Sequence, residues 1–284
     1  MAGSTSRCAS AAAPAGPRGR GPGPRASIAA LLFAMAAATI AAEEPDLHTD
    51  RDAFTPATRC IAAGTSLLEG SQVFIDNRSG TPTNSYPELL VRYAATEWWE
   101  WRVGINYSVG SQGNVVTNVE VGELPIDGHA IYESNILFGF KAALTEQDAW
   151  VPESCFILEA TTPTYAEEWG TSPVATVVWG WELPAGSRLD AALRYAYSVA
   201  ESGWFSRWGP SVVWRRPVTE RWEVHAEYFA TSTQGLEDDT VRPFVSPGTH
   251  FMLTPRLEIG VRVGWGLTED AAPFFSDAGI GWRY

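Results

Sequence analysis

Trp98-Trp99-Glu100-Trp101-Arg102-Val103-Gly104-Ile105-Asn106-Tyr107-Ser108-Val109 alternates without a break from Trp99 onward. The odd positions carry Trp, Trp, Val, Ile, Tyr and Val; the even ones carry Glu, Arg, Gly, Asn and Ser. A side-chain period of two is that of a β-strand, here with one apolar and one charged face. A soluble sandwich could hold one such strand, so the fold depends on how often the pattern recurs.

It recurs along most of the chain. Leu257-Glu258-Ile259-Gly260-Val261-Arg262-Val263-Gly264-Trp265 nearly copies it, and Trp222 to Tyr228, Ala191 to Tyr197 and Ile136 to Lys141 follow the same rule. Strands are expected at 67–76, 86–95, 98–109, 134–144, 149–161, 173–183, 188–199, 209–217, 221–231, 243–253, 256–265 and 274–284, twelve in all. The tenth carries Pro243, Pro247 and Gly248, against the habit of central strands, and is kept because the strand count requires it.

The connections alternate in length. Short turns are expected at 95–97, 145–148, 184–187, 218–219 and 254–255, with longer loops at 77–85, 110–133, 162–172, 200–208, 232–242 and 266–273. An even strand number, short turns at one end, long loops at the other and a dyad period describe an all-β, antiparallel, up-and-down transmembrane β-barrel of about 12 strands. Closure is what a bilayer demands of a sheet, because an open edge leaves backbone groups unpaired in lipid. The final run, Ala278 to Tyr284, alternates to an aromatic end and suits closure against the first strand.

Composition agrees. There are 13 Trp, 9 Tyr, 12 Phe and 26 Gly, and charged residues make up only 19%; aromatic residues favour strands and gather at membrane interfaces. A formal charge of −13 with no basic stripe argues against a nucleic-acid partner. Arg18, Arg20 and Arg25, then an apolar run from Ile28 to Ile40, then small residues and Glu43-Glu44, read as a signal peptide over residues 1–42. Its removal takes four arginines and no acids and moves the charge to −17. Residues 43–66, with Asp50, Arg51 and Asp52, read as an irregular periplasmic lead-in, and residues 67–284 as the barrel. The exported chain keeps Cys60 and Cys155, too few for a disulfide scaffold.

Parity assigns the polar residues to the lumen, since an arginine near the bilayer midplane costs about 2–4 kcal/mol. The lining expected to matter is Glu88, Arg92, Glu100, Arg102, Arg194, Arg215, Glu223, His225, Glu227, Glu258 and Arg262, with Glu69, Lys141, Glu159, Glu182, Asp190, Asp277 and Arg283 on the same face. Twelve strands lie between the eight that side chains fill and the sixteen that leave a pore, so a narrow charged lumen is expected. His225 between Glu223 and Glu227 invites a metal or acid–base reading, but no second His or Cys lies at ligand spacing in the sequence. No catalytic, cofactor or metal site is assigned. The acidic long loops (Glu120, Glu123 and Asp127; Glu167-Glu168; Glu237-Asp238-Asp239; Glu269-Asp270) read as solvated charge, with cation bridging to anionic lipid as the sharper alternative.

Pro87-Glu88-Leu89-Leu90-Val91-Arg92-Tyr93-Ala94-Ala95-Thr96-Glu97-Trp98-Trp99-Glu100-Trp101-Arg102 resembles the hairpin typical of the family named "putative MetA-pathway of phenol degradation". Gly139-Phe140-Lys141, Leu144-Thr145-Glu146, Val151-Pro152 and Thr161-Thr162-Pro163-Thr164 resemble it as well. Ala94 stands where the family has glycine in Arg-Tyr-Gly, and Tyr165 where it continues Pro-Thr with glycine. The resemblance implies an outer-membrane barrel of transporter type that admits small apolar or aromatic compounds, with no catalytic residues. The function expected is thus a passive channel or transporter whose partners are outer-membrane lipid and a small-molecule solute. The alternatives are a structural or adhesive barrel with a closed lumen and a membrane-embedded barrel enzyme, the latter opposed by the missing Ser–His dyad.

Overall fold

The computed structural model describes residues 47–78, 80–110, 113–118, 131–165, 170–200 and 203–284. The expected signal peptide and the acids Glu120, Glu123, Asp127, Glu167 and Glu168 lie outside the described residues. Twelve antiparallel strands follow one another: β1 (Ser66–Asp76), β2 (Thr83–Thr96), β3 (Trp99–Gly110), β4 (Ile131–Thr145), β5 (Glu153–Tyr165), β6 (Ser172–Glu182), β7 (Arg188–Ala200), β8 (Gly203–Thr219), β9 (Trp222–Gln234), β10 (Val241–Thr254), β11 (Leu257–Gly266) and β12 (Phe274–Arg283). Each pairs with its sequence neighbours, and β1 pairs with β12 from Leu67↔Arg283 to Asp76↔Phe274, closing the barrel.

The barrel is inside out relative to a soluble core. On β3, Trp101, Val103, Ile105 and Tyr107 are 52%, 54%, 45% and 39% exposed, whereas Glu100 and Arg102 between them are 0% and 2% exposed. The same inversion puts Phe138, Tyr197, Tyr228, Val261 and Trp282 on the outside and Lys141, Arg194, Glu227 and Arg262 inside. An apolar exterior on a closed sheet is what lipid requires and water penalises. Near the short turn after β2, Trp99 stacks on Phe140 at 4.2 Å and meets Trp101 edge-on at 5.4 Å, forming part of an aromatic girdle.

Three sequence expectations differ from the structure. The loop expected at 200–208 shrinks to two residues, because β7 and β8 stay paired to Ala200↔Gly203. Stacked Tyr197–Trp204 and tilted Tyr195–Trp208 pairs carry the outward pattern along this longer hairpin. The strand expected at 149–161 begins at Glu153, since residues 148–151 close a tight bridge, Asp148↔Val151. Connection length therefore does not alternate strictly. Pro243 and Pro247 do lie within β10, opposite Ala230 and Ala226 of β9.

The largest difference concerns the lead-in. Its described part, residues 47–65, is irregular as expected but does not stay outside the barrel. Within a few residues it touches β1 to β4 through Asp50 and β8 and β9 through Thr55. A buried segment can reach opposite walls of a closed barrel only from within. The sequence reading missed this because a soluble-looking run of Asp, Arg and Thr is also what a polar lumen accepts.

Candidate functional site

The lumen is occupied from both ends. From the short-turn end comes the segment 47–65, and from the long-loop end come residues 113–118 of the β3–β4 connection. Where they meet, Asn118 donates its amide to the carbonyl of Asp50 at 2.6 Å.

Wall carboxylates hold the backbone of the inner segment. Glu69 accepts the amides of Asp50 and Arg51 at 2.6 and 2.9 Å; Glu227 accepts those of Phe54 and Thr55 at 3.0 and 2.7 Å; Glu100 accepts that of Ile61 at 3.1 Å. Wall cations take its carbonyls: Arg92 binds that of His48 at 2.6 Å and Lys141 that of Ala57 at 2.8 Å. An irregular backbone in a water-poor interior must find partners for its amides and carbonyls, and charged partners make the stronger bonds.

Asp50 is the hub of the arrangement. Its carboxylate pairs with Arg102, with Lys141 at 3.1 Å and with Arg92 at 3.6 Å, and accepts the amide of Ala57 at 2.8 Å. Burial alone would favour the neutral acid, but the three cations outweigh it and hold the carboxyl well below the usual carboxylate range. Around it Arg92 bonds Glu100 at 2.7 Å and Glu69 at 3.1 Å, and Arg102 bonds Glu159 at 2.6 Å.

Much of the remaining predicted lining falls into three neighbourhoods, while His225 and Glu258 both lie beside His250. Glu88 takes Arg51 at 2.7 Å. Arg215 pairs with Asp190 at 2.6 Å and lies 4.0 Å from the half-buried Glu223. Arg262 bridges Glu227 and Asp277 at 3.2 Å each and donates to the carbonyl of Val116 at 2.6 Å. Arg194 is buried on the inner face of β7. Glu182 is the exposed member of the set, at the rim, where it pairs with Arg59.

Above the ionic layer lies an apolar one. Phe54 of the inner segment stacks on Phe229 at 4.5 Å, Phe229 on Phe244 at 4.9 Å, and Phe275 meets both edge-on. Val115 and Val116 of the upper connection complete this layer with Val73, Ile75, Ala271 and Ala272. At the short-turn end a cavity of about 180 Å³ remains between the segment and the wall, bordered by Asp52, Arg215, Trp222, Glu223, His250 and Glu258.

The sequence reading missed Asp50, Arg51, Asp52, Phe54 and His250 as site residues. The signal available was the Asp-Arg-Asp cluster just before the first strand, matched in kind to a wall that carries both signs. Cys60 and Cys155 are free thiols.

A model of the family described as "Putative MetA-pathway of phenol degradation" matches residues 49–284. The chain belongs to that family. The matched region takes in the inner segment as well as the wall.

Among solved structures, the family member shares its fold with the COG4313 outer membrane channel from Pseudomonas putida F1 (TM-score 0.58, 11% identity, 80% of this chain and 98% of that one). It is also similar to the NanC porin (TM-score 0.52, 11% identity, 76% and 98%) and to the translocator domain of the autotransporter NalP from Neisseria meningitidis (TM-score 0.51, 10% identity, 78% and 89%). No curated protein matches it in sequence. At these identities the likeness concerns the fold, that of an outer-membrane β-barrel.

Proposed function

We propose that this protein is a passive outer-membrane channel for small molecules whose passage is closed in the present conformation by residues 47–65 from the short-turn end and residues 113–118 from the long-loop end. The observation that carries the reading is the nature of the filling. A chain segment joined to the wall at Ser66 fills the lumen, held by ion pairs and hydrogen bonds. Withdrawing it, with residues 113–118 drawn aside at the other end, would leave a passage lined by Arg92, Glu100, Arg102, Glu227 and Arg262, with Phe229 bared where Phe54 now stacks. Such a lining passes solutes with a polar group and an apolar or aromatic body. Two of the structurally similar proteins are a channel and a porin by name, which supports the reading.

The second reading is a closed structural barrel, favoured by the depth at which the segment is buried. Single-channel recording in planar bilayers separates the two. Full-length protein is expected to open rarely, and a variant lacking both residues 47–61 and residues 113–118 is expected to show frequent, larger conductance steps. If both are silent when folded and inserted, the channel reading fails and the closed barrel stands.

A further inference from the structure

We propose that Asp52, His225 and His250 form a binding site for one borderline divalent transition-metal ion of the Zn²⁺ class, which ties the inner segment to the barrel wall. The site is independent of whether the barrel conducts. The two histidines are far apart in sequence, but the β9–β10 ladder, with Gly248 opposite His225 and His250 opposite Glu223, sets them side by side on the inner face. His250 Nε2 lies 2.9 Å from His225 Nδ1 and 3.0 Å from Asp52 Oδ2. One ligand atom from each of the three residues fits within a span of 4.8 Å.

As a plain hydrogen-bond network this cluster is poorly served. His250 Nε2 carries at most one proton, and two groups sit within bonding distance of it. His225 is 4% exposed, yet its Nε2 has no partner among the described residues, and neither does the buried Asp52 Oδ1. Buried polar atoms without partners are uncommon; His225 Nε2 packs against Gly248, so it is the other ring nitrogen, Nδ1, that faces His250 and is free to ligate. A dication in place of the shared proton would engage a lone pair from each residue. Zn²⁺ bonds to nitrogen and oxygen run to about 2.0–2.2 Å, which sets ligand atoms about 3.3 Å apart around a tetrahedral ion, slightly wider than the two spacings to His250 Nε2, while all three atoms stay within 4.8 Å.

The surroundings fit a metal site. His250 turns its other nitrogen, Nδ1, to Glu258 Oε1 at 3.2 Å, and Thr49 donates to the same oxygen at 2.9 Å. A carboxylate behind a ligating imidazole fixes its tautomer and orientation. Gly248 leaves room for the His225 ring, since a Cβ there would come within 2.3 Å of Nε2. Arg215 lies 3.5 Å from Asp52 Oδ2, so the unpartnered Oδ1 supplies a second possible ligand atom on that carboxylate. The cavity bordered by Asp52 and His250 gives an ion access from the short-turn end and leaves a position for water. Two imidazoles and one carboxylate suit Zn²⁺ far better than Mg²⁺ or Ca²⁺.

The test uses full-length protein folded in detergent micelles, stripped with a chelator and titrated with ZnCl₂ in a calorimeter, with MgCl₂ as the control. One Zn²⁺ per chain is expected, with no Mg²⁺ uptake. His225→Gln and His250→Gln should reduce Zn²⁺ binding to background, Asp52→Asn should weaken it at least tenfold, and Glu258→Gln should weaken it by about 10- to 100-fold through loss of positioning. Absence of stoichiometric uptake by the wild type, or unchanged uptake by both folded histidine variants, overturns the site. Co²⁺ titration of the wild type requires no variant to fold: visible bands of a low-symmetry nitrogen–oxygen site are expected, and a spectrum identical to aqueous Co²⁺ refutes it.

Discussion

Replacing Asp50 by asparagine removes the charge at the centre of the inner segment while nearly preserving its shape. The carboxylate is fully buried and faces Arg102, Lys141 and Arg92, none of which can follow the change. Taking one partner from a buried charge cluster costs about 3–5 kcal/mol, because the remaining charges stay desolvated and uncompensated. Glu69, Glu100 and Glu159 still neutralise part of the surplus, so the lower end, about 3 kcal/mol, is the appropriate figure. At about 1.4 kcal/mol per factor of ten, the undocked fraction of the segment should rise by about two orders of magnitude. Amide hydrogen exchange reads this directly, since the amides of Asp50, Arg51, Phe54 and Thr55 are bonded only to wall carboxylates. Their exchange should accelerate about a hundredfold while strand amides, for example in β3 and β4, keep their protection. Exchange unchanged within threefold would refute Asp50 as the hub. Equal loss of protection in segment and wall would refute the segment as a separable unit.

Phe54→Ala removes the ring stacked on Phe229 and should cost about 3–5 kcal/mol of docking. Protease cleavage within residues 47–65 should then rise by two orders of magnitude or more, with the heat-resistant gel mobility of the barrel unchanged; a resistant segment would show that the aromatic layer contributes little. Gly139 lies between Arg102 on β3 and Glu159 on β5, and the ion pair between those two residues crosses over it. A Cβ there would meet the Leu158 carbonyl oxygen at 2.2 Å and Glu159 Cγ at 2.8 Å. Gly139→Ala should therefore destabilise the barrel by about 1–3 kcal/mol in urea unfolding from lipid vesicles, and an unchanged midpoint would contradict the crossing.

Most of the wall was legible in the sequence, although Arg207 and Arg242, buried on β8 and β10, fell in stretches read as loops. In Trp99 to Val109 the period of two divides apolar from polar positions, and that division alone determines which atoms face lipid once the sheet closes. The same parity assigned Arg92, Glu100, Arg102, Glu227 and Arg262 to the interior, because no charged residue is stable against hydrocarbon. Strand count and order followed from repetition, since consecutive antiparallel strands are local in sequence.

What filled the barrel was not legible. The run from Leu47 to Thr65 has no period, and Asp50, Arg51 and Asp52 satisfy a solvent-exposed lead-in as well as a polar lumen. Only the closed wall presents Glu69, Glu227, Arg92 and Lys141 at once to one irregular backbone, and their combined hydrogen bonds decide where it lies. His225 and His250 became neighbours for the same reason. Spacing along the chain separates them by a hairpin, and the β9–β10 register, which depends on every pair in that ladder, brings their rings to 4.9 Å. Alternation is a property of each strand by itself, whereas ligand sets and plugs are properties of surfaces that exist only after the sheet has closed.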